Sequence, residues 1–177
     1  MKFSSNDACA YPFLYEDQKI VDYEIITDEI ASFIGLLRSY VENSKLKRDL
    51  EWLCTLTWNL NGSVRGKCCI NKATVTALNK KLKNYKSKLT CNFKNFILPV
   101  GSTSACVSEI IRNKFKHAVR TLFYVQKNNP GSKVNILIFD CLNILSNLFY
   151  LIGLYIRQLN KEEPKIFKSQ SYTNKAK

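Results

Sequence analysis

A chain of 177 residues, 46% of them hydrophobic, can close one domain around a sizeable core, and 27 Lys and Arg against 14 Asp and Glu, a net charge of +13, imply an anionic partner: nucleic acid, membrane surface or phosphorylated small molecule. Seven cysteines (Cys9, Cys54, Cys68, Cys69, Cys91, Cys106, Cys141) without CxxC spacing, beside the one histidine, His117, argue against a zinc centre or a disulfide framework and for reduced thiols used as small apolar fillers. The N-terminal residues lack the apolar run of a signal peptide and carry acids that a transit peptide avoids, so a cytoplasmic protein is expected.

After an irregular segment over 1–24, Ile26, Ile30, Phe33, Leu37 and Tyr40 mark the apolar face of a first helix, with Thr27 or Asp28 near its start. There Asp28 and Glu29 would suit the positive end of the helix dipole. Leu46, Leu50, Leu53 and Leu60 mark a second helix, which the Gly- and Asn-containing run 61–67 should break. Val75, Leu78, Leu82, Tyr85 and Leu89 give a third helix at 3-4-3-4 spacing, and its other faces are almost entirely Lys, Asn and Ser. Residues 65–94 hold nine Lys or Arg and no acid, which reads as a solvated face or as a surface for a polyanion.

Residues 96–102, FILPVGS, form an apolar run that stops at Pro99 and Gly101, and a fourth helix from about Ser104 to Val125 follows, ended by NNPGS. Ile111, Phe115, Ala118 and Leu122 share its apolar face, and Glu109, Arg112, Lys116 and Arg120 share another. A fifth helix, from about Lys133 to Asn160, is apolar nearly all round and stops before Pro164. It is long enough to raise a membrane span, but Asn135, Asp140, Asn143, Ser146 and Asn147 interrupt it, and a central Asp costs about 2.5–3.5 kcal/mol in a bilayer, so no membrane helix is expected. Read instead as a buried helix, it carries Asp140, Asn143 and Asn147 on one side, where buried polar groups need partners. The expected architecture is all-α, an up-and-down five-helix bundle over 1–164 with a basic, frayed tail over 165–177. A basic stripe beside a buried polar stripe suggests a site for a polar anionic ligand, most simply a nucleoside triphosphate, with Asp28 able to pair with an Arg of the stripe.

FILPVGS followed by Arg112, Ala118 and Arg120 resembles the signature of the PduO-type ATP:cob(I)alamin adenosyltransferases, Phe-x-Leu-Pro-Gly-Gly-Ser and then Ala-Arg-Thr-x-x-Arg-Arg-Ala-Glu-Arg, in one ungapped register over 25 residues. TDEIASFIG (27–35) resembles the family's Val-Asp-Glu-Leu-Asn-Ser-x-x-Gly, and CLNILSNLFYL (141–151) resembles its Leu-Asn-Arg-Leu-Ser-Asp-x-Leu-Phe. The resemblance implies a five-helix bundle assembled as a homotrimer with active sites between subunits. It implies transfer of the 5′-deoxyadenosyl group of ATP, bound with Mg²⁺, to the cobalt of cobalamin or another corrinoid, such as cob(I)yrinic acid diamide, with release of triphosphate. Carried over residue by residue, it puts Arg112 in a pair with Asp28 facing the site, Lys116 on the triphosphate, Arg112 and Arg120 among the ATP-binding residues, Asn143 on the nucleotide, Phe96 against the lower corrin face and Tyr150 beside the corrin. Ser5 and Asp7 are the matches in the phosphate loop, and no protein side chain is assigned to the metal.

The sequence departs from that pattern at Asn6 and Cys9, where the loop has glycines, at Glu16 for a Lys and Ala31 for an Asn, at Lys116 and His117 for a pair of Arg, at Val119 for a Glu and at Ile144 for an Arg. Lys keeps a charge for phosphate but loses the two-pronged guanidinium geometry. A relative that binds corrinoid or nucleotide without turnover is therefore the second reading. A basic helical RNA-binding protein, centred on Lys80, Lys81, Lys83 and Lys86, is the third, and it lacks interleaved aromatic and basic residues. A corrinoid reductase could dock on the lysine-rich third helix.

Overall fold

The computed structural model describes residues 3–16, 18–91, 96–128 and 133–168. A 3₁₀ turn at Asn6–Ala8 precedes five α-helices: α1 (Lys19–Tyr40), α2 (Ser44–Arg65), α3 (Lys72–Lys88), α4 (Thr103–Asn128) and α5 (Ile136–Leu159). They run alternately up and down, as expected, with α1 packed on α2 and α4, and α5 on α3 and α4. At one end, the close of α1 and α5 meets the start of α2 and α4 around a cavity lined by Tyr40, Leu46, Ser104 and Ile156. At the other, the Tyr23 hydroxyl donates to the Leu60 carbonyl at 3.1 Å, joining the start of α1 to the close of α2.

The core is built from the predicted apolar faces. Ile30 and Leu37 of α1, Leu46, Leu50, Leu53 and Leu60 of α2, Leu78 and Tyr85 of α3, and Ile111, Phe115, Ala118 and Leu122 of α4 are all buried. Phe115 stacks on Phe149 of α5 at 5.6 Å between ring centroids. Local chemistry caps the helices: the Asn43, Asn71 and Asn135 side chains each accept a backbone N–H of the helix they precede.

Three boundary expectations fail for tertiary reasons. The irregular segment ends before α1 begins at Lys19, because Val21, Tyr23 and Glu24 are already buried against α2, so Asp28 sits in mid-helix and caps nothing. The run 61–67 does not break α2 until Arg65. The Asn61 amide donates to the Glu24 carbonyl at 2.7 Å and to Thr27 Oγ1 at 2.8 Å, while Arg65 grips Glu24, so contacts with α1 outweigh the local tendency to turn. The basic tail is not frayed from its first residue: Ile166 bridges Ile97, and the Lys165 carbonyl accepts the Leu98 N–H. NNPGS extends beyond Asn128 into positions outside the described residues, as do Lys94 and residues 169–177.

Helix α5 is long and apolar enough to cross a membrane by length and composition, and here it is packed between α3 and α4. Its Cys141 thiol is buried, and burial first, then Asp140 and Cys68, pushes it up to about 11. Cys68 and Cys69 are exposed. A thiol-reactive probe is therefore expected to modify Cys68 and Cys69 in the folded chain and Cys141 only on unfolding. Equal rates at all three, read by peptide mass, would contradict this packing.

Candidate active site

The turn that opens α4 is fixed by the close of α5 and the chain after it. Ile97 bridges Ile166, the Leu98 N–H donates to the Lys165 carbonyl at 2.8 Å, and the Phe167 N–H donates to the Phe96 carbonyl at 2.7 Å. The chain reverses through Gly101, whose φ of +136° suits glycine alone. Arg157 donates from Nη1 to the Val100 carbonyl. Glu162 accepts the Ser102 N–H at 3.0 Å and the Asn160 amide at 2.9 Å. Burial pushes the Glu162 carboxyl up, but those bonds from Ser102 and Asn160 and the Arg157 charge pull harder and hold it below the usual carboxylate range. The segment begins with Phe96 turned outward, 74% exposed.

Two and a half turns into α4, Arg112 lies half-buried. Its guanidinium donates to Glu109 Oε2 at 2.9 Å and sits 4.7 Å above the Tyr150 ring of α5. Glu109 is 5% exposed, and its Oε1 has no hydrogen-bond partner among the described residues. Ser146 Oγ donates to the Arg112 carbonyl at 3.2 Å and Ser108 Oγ to the Phe149 carbonyl at 2.7 Å, which sets the antiparallel register of α4 and α5. Burial, then Glu109, pushes the Tyr150 hydroxyl up, against the pull of Arg112. Lys116, one turn on, is pushed down by burial and by the Arg112 charge. That register brings Lys116 level with Asn143, one turn after Arg112 on the same side of α4.

The expected Arg112–Asp28 pair is absent within the chain. Asp28 is exposed on α1 and has no ion pair among the described residues; the link between α1 and α4 is Glu29 with Lys114, at 2.6 Å. The polar stripe of α5 also differs from expectation. Asp140, Asn143 and Asn147 face outward rather than into the bundle, and the Asn143 amide donates to the Phe139 carbonyl at 2.9 Å. The apolar side chains of α5 suffice to fill the core, so the stripe is left on the outer face beside Lys116 and the exposed Arg120. Ser5 and Asp7 lie exposed at the far end of the bundle. Their segment is tied there by Arg65, which binds Glu24 at 2.7 Å and Glu16 at 3.0 Å and stacks on Phe13 at 4.1 Å.

Thus one chain brings Arg112, Lys116, Asn143 and Tyr150 to one side of α4 and α5, with Phe96 beyond its end, and leaves Asp28, Ser5 and Asp7 elsewhere. A cavity of about 280 Å³ lies on that side, lined by Thr90, Cys91, Leu154, Gln158, Glu162 and Pro164 among others. A larger one, about 610 Å³, opens around Tyr40, Leu46 and Asn160 and contains none of the predicted site residues. Among the described residues there is no group of three or more His, Cys, Asp or Glu that could hold a metal ion. Sequence reasoning missed three residues: Glu109 as the partner of Arg112, and Arg157 with Glu162 under the turn. Arg157 had a legible signal, being the only charge in α5 after Asp140.

The sequence matches the profile of the family described as Cobalamin adenosyltransferase over residues 15–156. Among curated proteins none matches. The fold is similar to two single-residue variants of a PduO-type ATP:corrinoid adenosyltransferase from Lactobacillus reuteri, each complexed with cobalamin and ATP. Both are 20% identical to this chain, with TM-scores of 0.75 and 0.77, covering 88% of this chain and 90% and 87% of theirs. A third variant of the enzyme, complexed with ATP, is 21% identical with a TM-score of 0.74, over 88% of this chain and 90% of that one.

Proposed function

The chain belongs to the cobalamin adenosyltransferase family, and on that premise we propose that it transfers the 5′-deoxyadenosyl group of ATP to cob(I)alamin or a cob(I)yrinic acid diamide, releasing triphosphate. The observation that carries the reading is Arg112, held half-buried between Glu109 and Tyr150 on the helix that starts directly behind the Gly101 turn. In the reaction the electron pair of Co(I) forms a bond to C5′ while the C5′–O bond breaks and its pair leaves on triphosphate, cobalt becoming formally Co(III). The nucleophile needs no general base. The protein's work is alignment of cobalt with C5′ and stabilisation of charge on the leaving group.

Arg112, Lys116 and Arg120 supply that charge along one side of α4. Lys116 is lowered by burial first and then by the Arg112 charge, and an anion set between the two would offset both. Asn143 holds the nucleotide, Mg²⁺ accompanies the triphosphate, and Phe96 and Tyr150 face the corrinoid. A homotrimer completes the site: Asp28, which has no ion pair among the described residues of its own chain, would meet Arg112 of a neighbouring copy, and Ser5 and Asp7 would reach the triphosphate from that copy. Supporting this are the exposed Ile25 and Leu36 on α1 and Ile110, Phe123 and Tyr124 on α4, apolar side chains on two adjacent helices. The protein works in the cytoplasm, where a reductase can deliver Co(I), and the lysines of α3 are a surface for that partner.

Mixing the full chain with ATP, Mg²⁺ and chemically reduced cobalamin should consume the Co(I) spectrum and give a photolabile Co–C product. If no product forms at stoichiometric enzyme, yet cob(II)alamin shifts toward a four-coordinate spectrum, the non-catalytic binding reading replaces this one. Steeply salt-dependent RNA binding with neither effect would favour the nucleic-acid reading.

A further inference from the structure

Arg157 stands out as a charge where the fold has no need of one. It is 2% exposed in the last turn of α5, the one charge of that helix after Asp140. Its Nη1 donates to the Val100 carbonyl and lies 3.6 Å from Glu162 Oε2, while Nε and Nη2 have no hydrogen-bond partner among the described residues. A buried guanidinium this sparsely bonded is a poor stabiliser, since an apolar side chain of the same volume usually serves packing as well or better. What the charge does supply is geometry.

The turn and the arginine are fitted to each other. A Cβ built on Gly101 would overlap Arg157 Nη1 and stand 2.5 Å from Glu162 Oε2, so the backbone has closed onto this pair as far as a glycine permits. Lys161, at φ 58°, folds the chain back so that the Glu162 N–H reaches the Arg157 carbonyl at 2.8 Å and its carboxylate reaches the Ser102 N–H. Gln158, one residue along α5, pins the other side of the same connection. Its amide donates to the Lys88 carbonyl at 3.0 Å and its oxygen accepts the Thr90 N–H at 2.9 Å. Both ends of the connection from α3 to α4 are therefore tied to the close of α5.

We propose that Arg157, with Glu162, is a positioning residue that locks the 96–102 turn in register and so sets where Phe96 meets a corrinoid. This rests on the functional reading above, and its effect should fall on the corrinoid and spare ATP, whose proposed contacts lie further along α4.

The test uses the full chain with Arg157→Met, which keeps the aliphatic bulk, and Glu162→Gln, which leaves Arg157 in place should the first variant fold poorly. Three readouts are taken: amide hydrogen exchange at Ser102, affinity for cob(II)alamin with its four-coordinate spectral fraction, and affinity for ATP. The expected result is at least tenfold faster exchange at Ser102 and about tenfold weaker cob(II)alamin binding in Arg157→Met, a smaller loss of both in Glu162→Gln, and ATP affinity within twofold of wild type. Unchanged Ser102 exchange in both variants would refute the lock. Faster exchange with unaltered cob(II)alamin binding, or equal losses for both ligands, would refute the positioning role. A wild-type chain that binds no corrinoid while Ser102 responds to both substitutions would instead sink the functional reading and the positioning role with it, leaving the lock as a structural tie.

Discussion

Arg112→Ala is expected to lower kcat/KM for adenosyl transfer by about 10²–10³-fold, the usual cost of removing one preorganised group from a site that stabilises developing charge. Two contributions combine. In the proposed site the leaving triphosphate would lose a cation that is held in place by Glu109 and by the Tyr150 ring. Glu109, 5% exposed, is also left with no partner among the described residues on either oxygen, and stranding one member of a fully buried pair costs about 3–5 kcal/mol. Arg112 is partly exposed, so water can enter and the stability loss should be smaller. The double variant Glu109→Gln/Arg112→Ala separates the two, because it should recover most of the lost stability in thermal unfolding and none of the lost turnover. Wild-type kcat/KM in a folded Arg112→Ala chain would remove Arg112 from the site.

Gly101→Ala is the second large effect, and it acts through the turn. A side chain at φ +136° is strained by about 1–3 kcal/mol, and its collision with Arg157 and Glu162 adds about 1–3 kcal/mol of overpacking. Together these should lower Tm by about 5–15 °C for a chain of this size. Corrinoid binding should fall with them, since the collision pushes out the segment that carries Phe96. A Tm within 2 °C of wild type would mean that the turn is not closed onto the arginine as described.

The two expectations differ in how much of their basis could be read from sequence. The turn at Gly101 and the charged side of α4 were visible as residue patterns, because chain reversal and helical spacing are local properties. The identity of the Arg112 partner was not. Glu109 lies one turn before Arg112 and was read only as one more member of the stripe, whereas the resemblance pointed to Asp28, which the fold leaves on the outside of α1.

Boundaries failed for a related reason. Nothing local distinguishes Asn61 and Gly62 from a helix stop, and the helix continues because Asn61 bonds to α1 and Arg65 to Glu24. The outward turn of Asp140, Asn143 and Asn147 could not be foreseen either, since an apolar helix with a narrow polar stripe reads alike whether that stripe meets solvent or protein. Several departures from the family pattern now have structural uses: Ala31 is buried, Val119 and Ile144 pack on the core, and Glu16 pairs with Arg65. Those positions serve folding here, and the proposed site keeps Arg112, Lys116 and Arg120 as its cations.

The most direct test of the central claim is a single-turnover reaction of the full chain with ATP, Mg²⁺ and cob(I)alamin in which both products are counted. The account predicts one triphosphate released for each Co–C bond formed, because the pair that leaves C5′ departs on the intact triphosphate. Triphosphate without a Co–C bond, or phosphate and diphosphate in place of triphosphate, would contradict it.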